Sequence, residues 1–306
     1  MNGTFQGIIE AAKERGAGKR IAVPSVRGGD LKLLSRAVKE GLGVPLIIGD
    51  GKKMDALVKK SPLAALDHEI LDVREPGGVL SEAIRLVREG RADILMQGGL
   101  NRKAFLGAVL DVKKGLLKGR LASYASVFQM LKRDKLILVT DTFVNNFPGA
   151  AEKQLILENA IGLAGVLRME SLKVAALAAI EQVNPSISST LDAAVLSKMS
   201  ERKQFGNVIV EGPLDMDCAL SRVAASRKGL KSEVTGNVDI YVVPDIETGY
   251  LLVQALVFVG RMKTAGVLLG TVKPVLLDLP FVTSENRLVE IALASLMDGN
   301  EGSRNG

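Results

Sequence analysis

Short apolar runs, each ended by turn residues and followed by helically spaced apolar residues, recur along this chain and restrict its architecture more than any other feature. Segments 20–24, 44–49, 69–73, 92–96, 174–180, 207–210, 238–243, 264–269 and 275–277 read as strands. Segments 5–15, 31–40, 79–90, 101–110, 151–168, 247–259 and 284–296 carry helical spacing. Strands that alternate with helices predict an α/β fold of mostly parallel sheet with helices on both faces. Segments 123–130 and 136–140 are also strand-like, with no helical pattern between them. That pair predicts an antiparallel excursion near a domain crossover. With 306 residues, 47% of them hydrophobic, the chain has material for one large α/β domain or two smaller ones.

Residues 181–219 hold the densest set of candidate functional groups. Asn184-Pro185 breaks the run 174–180 with turn chemistry. Ser189 and Thr190 stand at the N-cap of a helix that continues through Leu191, Ala194, Val195 and Met199. The strand 207–210 is expected to end in a turn, Glu211-Gly212-Pro213. Two loops then leave neighbouring parallel strands at their carboxyl ends, the edge where open α/β sheets bind ligands. Asn184, Glu211, Asp215 and Asp217 are expected to converge there. Asp217 reads either as a substrate-holding or proton-accepting carboxylate, or as the cap of a helix that starts at 216–218. Glu211, a strand-end carboxylate without an evident partner, reads as functional. Asn184 either binds ligand or holds its own turn.

Two glycine turns add candidates. Ser25 to Asp30 includes Gly28-Gly29 and precedes a helix, so it either meets an anion at the helix N-terminus or simply turns the chain. It matches neither the dinucleotide fingerprint nor the P-loop. Gln97-Gly98-Gly99 precedes Asn101, Arg102 and Lys103, which form an anion site or two solvated cations. Ser123 is a hydroxyl donor for ligand or a structural serine. His68, between Asp67 and Glu69, is assigned to the surface, and Cys218 to the core.

Composition excludes several classes. A single cysteine leaves no internal disulfide or cysteine metal cluster and points to a reducing compartment. A single histidine leaves no His-rich metal site. The net charge of +6 is spread along the chain with no basic run interleaved with aromatics, which argues against nucleic acid. The excess suits a phosphate-bearing substrate or is a solvated basic surface. No apolar run reaches the roughly 18–20 residues of a membrane span, and no leader pattern opens the chain. A cytoplasmic protein without membrane partners is expected.

The chain resembles the phosphate acetyl/butyryltransferases, and the butyryltransferase branch most closely. The matching text is A-D-I-L-M-Q-G (92–98), A-V-L-D-V-K-K-G-L (108–116), L-I-L-V-T-D (136–141), V-N-P (183–185), T-L-D-A-A-V-L-S-K-M (190–199), E-G-P-L-D-M-D (211–217) and P-D-I-E-T-G (244–249). The resemblance implies a two-domain fold of the isocitrate-dehydrogenase-like type with an interdomain cleft. The first domain would be discontinuous, 1–143 plus 281–306, and the second would be 144–280. It implies a homodimer or larger homo-oligomer, no metal and no cofactor, with coenzyme A as a substrate. The implied reaction moves a short acyl group, acetyl to butyryl, between coenzyme A and inorganic phosphate by direct attack in a ternary complex. The implied partners are therefore acyl-CoA and phosphate, or acyl phosphate.

That chemistry needs a base near the thiol, cations around the phosphate, and donors for the developing oxyanion. Carried onto this sequence, Asp217 and Glu211 are the catalytic candidates. Asn184, Ser123, Asn101, Arg102, Asp141, Asn145, Gly212, Pro213 and Gly249 are the substrate-binding candidates. The chain departs from the family pattern at several positions. Leu279-Pro280 stands where the family carries a Ser-Arg pair, and Asn286 or a neighbour stands for a following carboxylate. Gly107 and Gln254 replace cations, Tyr250 replaces an asparagine and Tyr124 a histidine. These departures support a second reading, a family member that has lost the reaction and binds coenzyme A, another ligand or a protein partner.

Overall fold

The computed structural model describes residues 3–15, 18–131 and 133–298. The polar stretch 298–306 reads in the sequence as a frayed tail; its residues 299–306 lie outside the described residues. In chain order the strands are β1 (Arg20–Pro24), β2 (Val44–Gly49), β3 (Glu69–Asp72), β4 (Ile94–Met96), β5 (Ser123–Gln129), β6 (Leu136–Thr140), β7 (Lys173–Leu177), β8 (Ile209–Leu214), β9 (Ile240–Val242), β10 (Lys263–Leu269) and β11 (Val275–Leu276). The helices are α1 (Phe5–Glu14), α2 (Gly28–Lys39), α3 (Gly51–Lys59), α4 (Pro76–Arg88), α5 (Arg102–Val109), α6 (Ala150–Val166), α7 (Ser188–Glu201), α8 (Met216–Leu220), α9 (Arg222–Arg227), α10 (Ile246–Gln254) and α11 (Ser284–Asp298). A π-helical turn, Ala255–Val259, continues α10.

The chain forms two compact units, one of residues 3–122 with the segment from 265 onward, the other of 123–264. The expected domain boundaries, after 143 and after 280, lie further along the chain than these. In the first unit the strands run in the order β3-β2-β1-β4-β11-β10. β1, β2, β3, β4 and β11 pair in parallel, and β10 runs antiparallel to β11. β1 and β4 are almost wholly buried apolar runs, as strands covered on both faces must be. The amphipathic pattern of α11 is broken by Asn286, Glu290 and Ser295, all of which are buried with its apolar residues. It packs on α1, α2 and β11.

In the second unit the order is β5-β6-β9-β7-β8. β6, β9, β7 and β8 are mutually parallel, while β5 and β6 form the expected antiparallel pair. Six residues join β5 to β6, too few for the crossover that a parallel pair needs. α7 packs on β8 and β7, and α6 on α7. The buried Lys153 ammonium of α6 pairs with Asp192 of α7 at 2.6 Å, so the contact between these helices satisfies a charge that burial alone would penalise.

Three expectations are corrected. Gly28 and Gly29 do not make a turn; they are the first residues of α2, and Asp30 accepts from the Arg27 N–H in place of a small polar cap. Glu211-Gly212-Pro213 is not a turn but lies within β8, where Glu211 registers with Ala175 of β7. Ser189 and Thr190 are not the cap of α7, which begins after Ile187 without a side-chain cap. Thr190 is buried, and its hydroxyl ties down the loop before the helix.

Candidate functional site

Parallel strands deliver their following loops to one edge, and in the second unit that edge collects most of the candidates. Asn184 lies in the loop after β7. Its side-chain oxygen accepts from the Ser186 N–H at 2.9 Å, forming an Asx turn. Its own N–H donates to the Thr190 hydroxyl, which donates back to the Asn184 carbonyl, each at 2.9 Å. Asn184 therefore holds its own loop. Glu211 is half-buried and makes no side-chain hydrogen bond or ion pair among the described residues. Gly212 gives β8 close approach: a Cβ there would meet the Ala176 carbonyl at 2.9 Å and the Ala193 Cβ at 3.1 Å. Pro213 is buried behind it.

After β8 the cap belongs to Asp215 rather than Asp217. The Asp215 carboxylate accepts from the Cys218 N–H at 3.3 Å and opens α8. Lys228, just after α9, sits against this turn. Its ammonium pairs closely with Asp215, with Asp217 at 3.0 Å and with Glu181 at 3.7 Å. Asp215, Asp217 and Cys218 present ligand atoms within 4.8 Å of one another, a spacing open to a metal ion, and the Lys228 ammonium neutralises the two carboxylates there. Burial pushes the Asp215 carboxyl up, but hydrogen bonds from Cys218 and Lys228 outweigh it and hold the group below the ordinary carboxylate range. The Cys218 thiol is pushed up to about 12 by burial and by Asp215, so it stays protonated and unreactive. The side chain of Asp217 is 58% exposed, which leaves it open to solvent and ligand.

The loop after β6 is organised on one carboxylate. Asp141 is buried and accepts from the N–H groups of Tyr124, Phe143, Val144 and Asn145 and from the Asn145 side-chain amide. Burial raises the carboxyl, against hydrogen bonds from Phe143, Tyr124 and Asn145 that favour its charged form. Asp141 is thus the scaffold of residues 141–145, and Asn145 is held by it. The Asn146 carbonyl accepts from Ile246 N–H at the start of α10. Gly249, in that helix, is buried because the helix touches this loop: a Cβ would meet the Asp141 carbonyl at 2.8 Å and Val243 Cγ2 at 2.9 Å. Ser123 opens β5, fully buried, and accepts from the Asn159 side chain at 3.1 Å. Tyr124, Phe143 and Tyr250 stack edge to face in sequence, with ring centroids 5.3 Å apart at each step.

In the first unit the carboxyl ends of β1, β4 and β11 form the corresponding edge. Gly98 has φ +61°, and a Cβ there would lie 2.1 Å from the Pro24 carbonyl; at Gly99 the Ser25 carbonyl would be 2.3 Å away. Only glycine lets the turn after β4 lie against the turn after β1. Asn101 caps α5 by accepting from Ala104 N–H at 3.2 Å, so its side chain is structural here. Arg102 follows, and its Nη2 donates to the Asp278 carbonyl at 2.7 Å. Asp278 N–H donates to the Gln97 side chain at 2.9 Å. The Asp278 carboxylate pairs closely with Arg27 and, at 3.2 Å, with Arg287. Asp30, 1% exposed, lies 3.4 Å from each of the same two arginines.

Sequence reasoning missed Lys228, Asp278, Asp30 and Arg287. Charge alone does not distinguish Lys228 from 39 other cations, and only the turn after β8 identifies it. The signal for Asp278 was its place beside Leu279-Pro280. Leu279 is buried and Pro280 exposed, and neither side chain offers a donor. His68 binds its own neighbour through Leu66 O, and Lys273 is engaged by Asp298. A cavity of about 620 Å³ between α4 and α5, lined by Ser81, Ile84, Arg88 and Lys114 among others, contains none of the candidates.

The family model described as phosphate acetyl/butaryl transferase matches residues 79–294. A phosphate butyryltransferase of Clostridium acetobutylicum is 36% identical over 299 residues, 97% of this chain and 99% of that protein. A phosphate acetyltransferase of Thermotoga maritima is 32% identical over 94% of this chain and 98% of its own length. Among solved structures, a branched-chain phosphotransacylase from Enterococcus faecalis V583 matches with a TM-score of 0.78 and 25% identity, covering 92% of this chain and 99% of its own. A phosphotransacetylase from Streptococcus pyogenes shares the fold, with a TM-score of 0.82 at 17% identity over 96% of this chain and 99% of its own.

Proposed function

The chain belongs to the phosphate acetyl/butaryl transferase family, and on that premise we propose that it moves a short acyl group, acetyl to butyryl, between coenzyme A and inorganic phosphate. The coenzyme A sulfur attacks the carbonyl carbon of the acyl phosphate, forming the C–S bond. The C–O bond to the phosphoryl group breaks, and phosphate leaves with that electron pair. The reverse reaction forms acyl phosphate and releases the thiol. Coenzyme A is a substrate, and the reaction as written requires no further cofactor.

Asp217 is assigned as acceptor of the thiol proton, because its carboxylate is open to solvent and lies 3.0 Å from the Lys228 ammonium. Glu211, a half-buried carboxylate without a partner among the described residues, is assigned to the same chemistry. On the second unit, Asn184, Gly212, Pro213, Asn145 and Gly249 are assigned to substrate through the loops they shape, with Asp141 and Ser123 supporting those loops from below. On the first unit, Arg102 is assigned to substrate, with Asn101 supporting it by capping α5. The observation that carries the reading is near-full-length identity with a phosphate butyryltransferase. Incubation with acetyl-, propionyl- and butyryl-CoA plus phosphate, followed by thiol release, tests it; no release above the blank with all three sinks it.

A second reading, a member that binds coenzyme A without turnover, is favoured by one observation: Leu279 is buried and Pro280 carries no charge. Calorimetric binding of coenzyme A with no thiol release supports that reading instead. We also place the protein in the cytoplasm, from its single cysteine, and as a homodimer or larger homo-oligomer. No helix of the described residues is long and apolar enough to cross a membrane. Leu251, Phe258 and Val259, at 68%, 65% and 83% exposure on α10 and its π-helical turn, form an apolar stripe suited to a second copy.

A further inference from the structure

Three guanidinium groups meet at the first unit's strand edge, and two carboxylates pair with them; Glu290, buried near Arg287, makes no ion pair with it among the described residues. Asp278 and Asp30 are each shared between Arg27 and Arg287. Arg102 has no carboxylate within ion-pair distance among the described residues. Its Nη2 binds a neutral carbonyl, that of Asp278, and its Nε–H is buried with no partner. The Arg287 Nε–H is likewise buried without a partner, on a side chain only 13% exposed. Buried donors in folded proteins nearly always find an acceptor, so two guanidinium edges left open in one cluster imply an acceptor that is not protein. A fixed positive surplus with planar N–H forks suits a tetrahedral oxyanion, which accepts two parallel hydrogen bonds from one guanidinium. The carbonyl of Asp278 fixes the Arg102 plane, and the two carboxylates hold Arg287 in place.

We propose that Arg102, supported by Arg287, binds the phosphoryl group of the substrate, as inorganic phosphate in one direction and as acyl phosphate in the other. This inference rests on the acyltransferase reading for the identity of the anion, though not for its charge or shape. Arg102 would then set phosphate affinity in place of any side-chain donor at residues 279 and 280, a leucine and a proline. Arg27 differs from it: half-exposed, and raised above its ordinary pKa by the hydrogen bond with Asp278, it is committed to structure.

The test uses the full chain and inorganic phosphate as probe, with and without coenzyme A. Phosphate is titrated by calorimetry and by thermal melting, with sodium chloride at equal ionic strength as control. Phosphate is expected to bind and to raise the melting temperature beyond the chloride control; no such effect under either condition overturns the proposal. Arg102→Gln is expected to weaken phosphate binding and raise KM for phosphate at least tenfold, with KM for butyryl-CoA within twofold. Arg102→Lys, which keeps the charge but loses the fork, is expected to recover part of the loss. Unchanged phosphate affinity in Arg102→Gln overturns the proposal. Phosphate binding that depends on Arg102, with no thiol released from any short acyl-CoA, leaves the anion site standing and removes the acyltransferase reading. Turnover with an unchanged phosphate KM in Arg102→Gln does the reverse.

Discussion

Glu290 is enclosed on α11 and accepts one hydrogen bond, from the Gly266 N–H at 3.1 Å. Burial pushes its carboxyl up to about 8 from an ordinary 4.5, only partly opposed by Arg287. The folded protein thus holds a proton that the unfolded chain releases, so the group's cost is absent below about pH 4.5, grows through pH 8 and is then constant. Glu290→Gln keeps the acceptor for Gly266. Its melting temperature is expected to exceed that of wild type by a margin that widens from pH 5 to pH 8, equivalent to at most roughly 5 kcal/mol. A margin that is flat with pH contradicts this. Lys228 has the opposite sign. The depressed Asp215 contributes stability above its unfolded value of 3.8, and loses it as pH falls through the lower folded value. Lys228→Met is therefore expected to melt below wild type at pH 7, with the gap closing in strong acid; melting scans from pH 2 to 7 measure it. At this scale the sequence located E-G-P-L-D-M-D but offered the cap, as one of two readings, to Asp217 rather than Asp215. Capping depends on where a helix begins, and Asp215 and Asp217 are separated by only one residue.

Helices in this chain meet loops at glycines whose roles differ, and substitution separates them. Gly249→Ala forces a methyl group against the Asp141 carbonyl and Val243, so α10 or the 141–145 loop must shift. A loss of about 1–3 kcal/mol in chemical denaturation is expected, together with reduced activity. Gly107→Ala, within α5, meets nothing within 4 Å and is expected to stabilise by about 0.5–1 kcal/mol. Equal effects at the two positions would mean that close approach is not what Gly249 provides. The strand–helix alternation was legible because each buried parallel strand is a short apolar run, as at 44–49 and 136–140. Boundaries slipped where propensity and tertiary fit disagree. Gly28-Gly29 reads as a turn, yet it starts α2 because Arg27 and Asp30 supply the N-terminal hydrogen bonds. Glu211-Gly212-Pro213 also reads as a turn, yet it extends β8 because Gly212 packs on Ala176 and Ala193.

For the whole molecule, assembly is the property that a single chain expresses least directly. The apolar stripe of Leu251, Phe258 and Val259 runs from α10 into the π-helical turn, where an extra residue per turn shifts which side chains face outward. Phe258→Glu is expected to lower the mass measured by light scattering to that of one chain, with the thermal transition retained. An unchanged mass places the contact elsewhere.

The fit of Gly98 and Gly99 against the backbone of Pro24 and Ser25 has an evolutionary consequence. Two turns from distant parts of the chain are so close that the glycine turn admits no added carbon at either position, so it cannot diverge without a shift of the other. Arg102, which follows on α5, is in none of these close contacts. New ligand preferences at this edge are therefore reached by changing charges on an unchanging pair of strand ends.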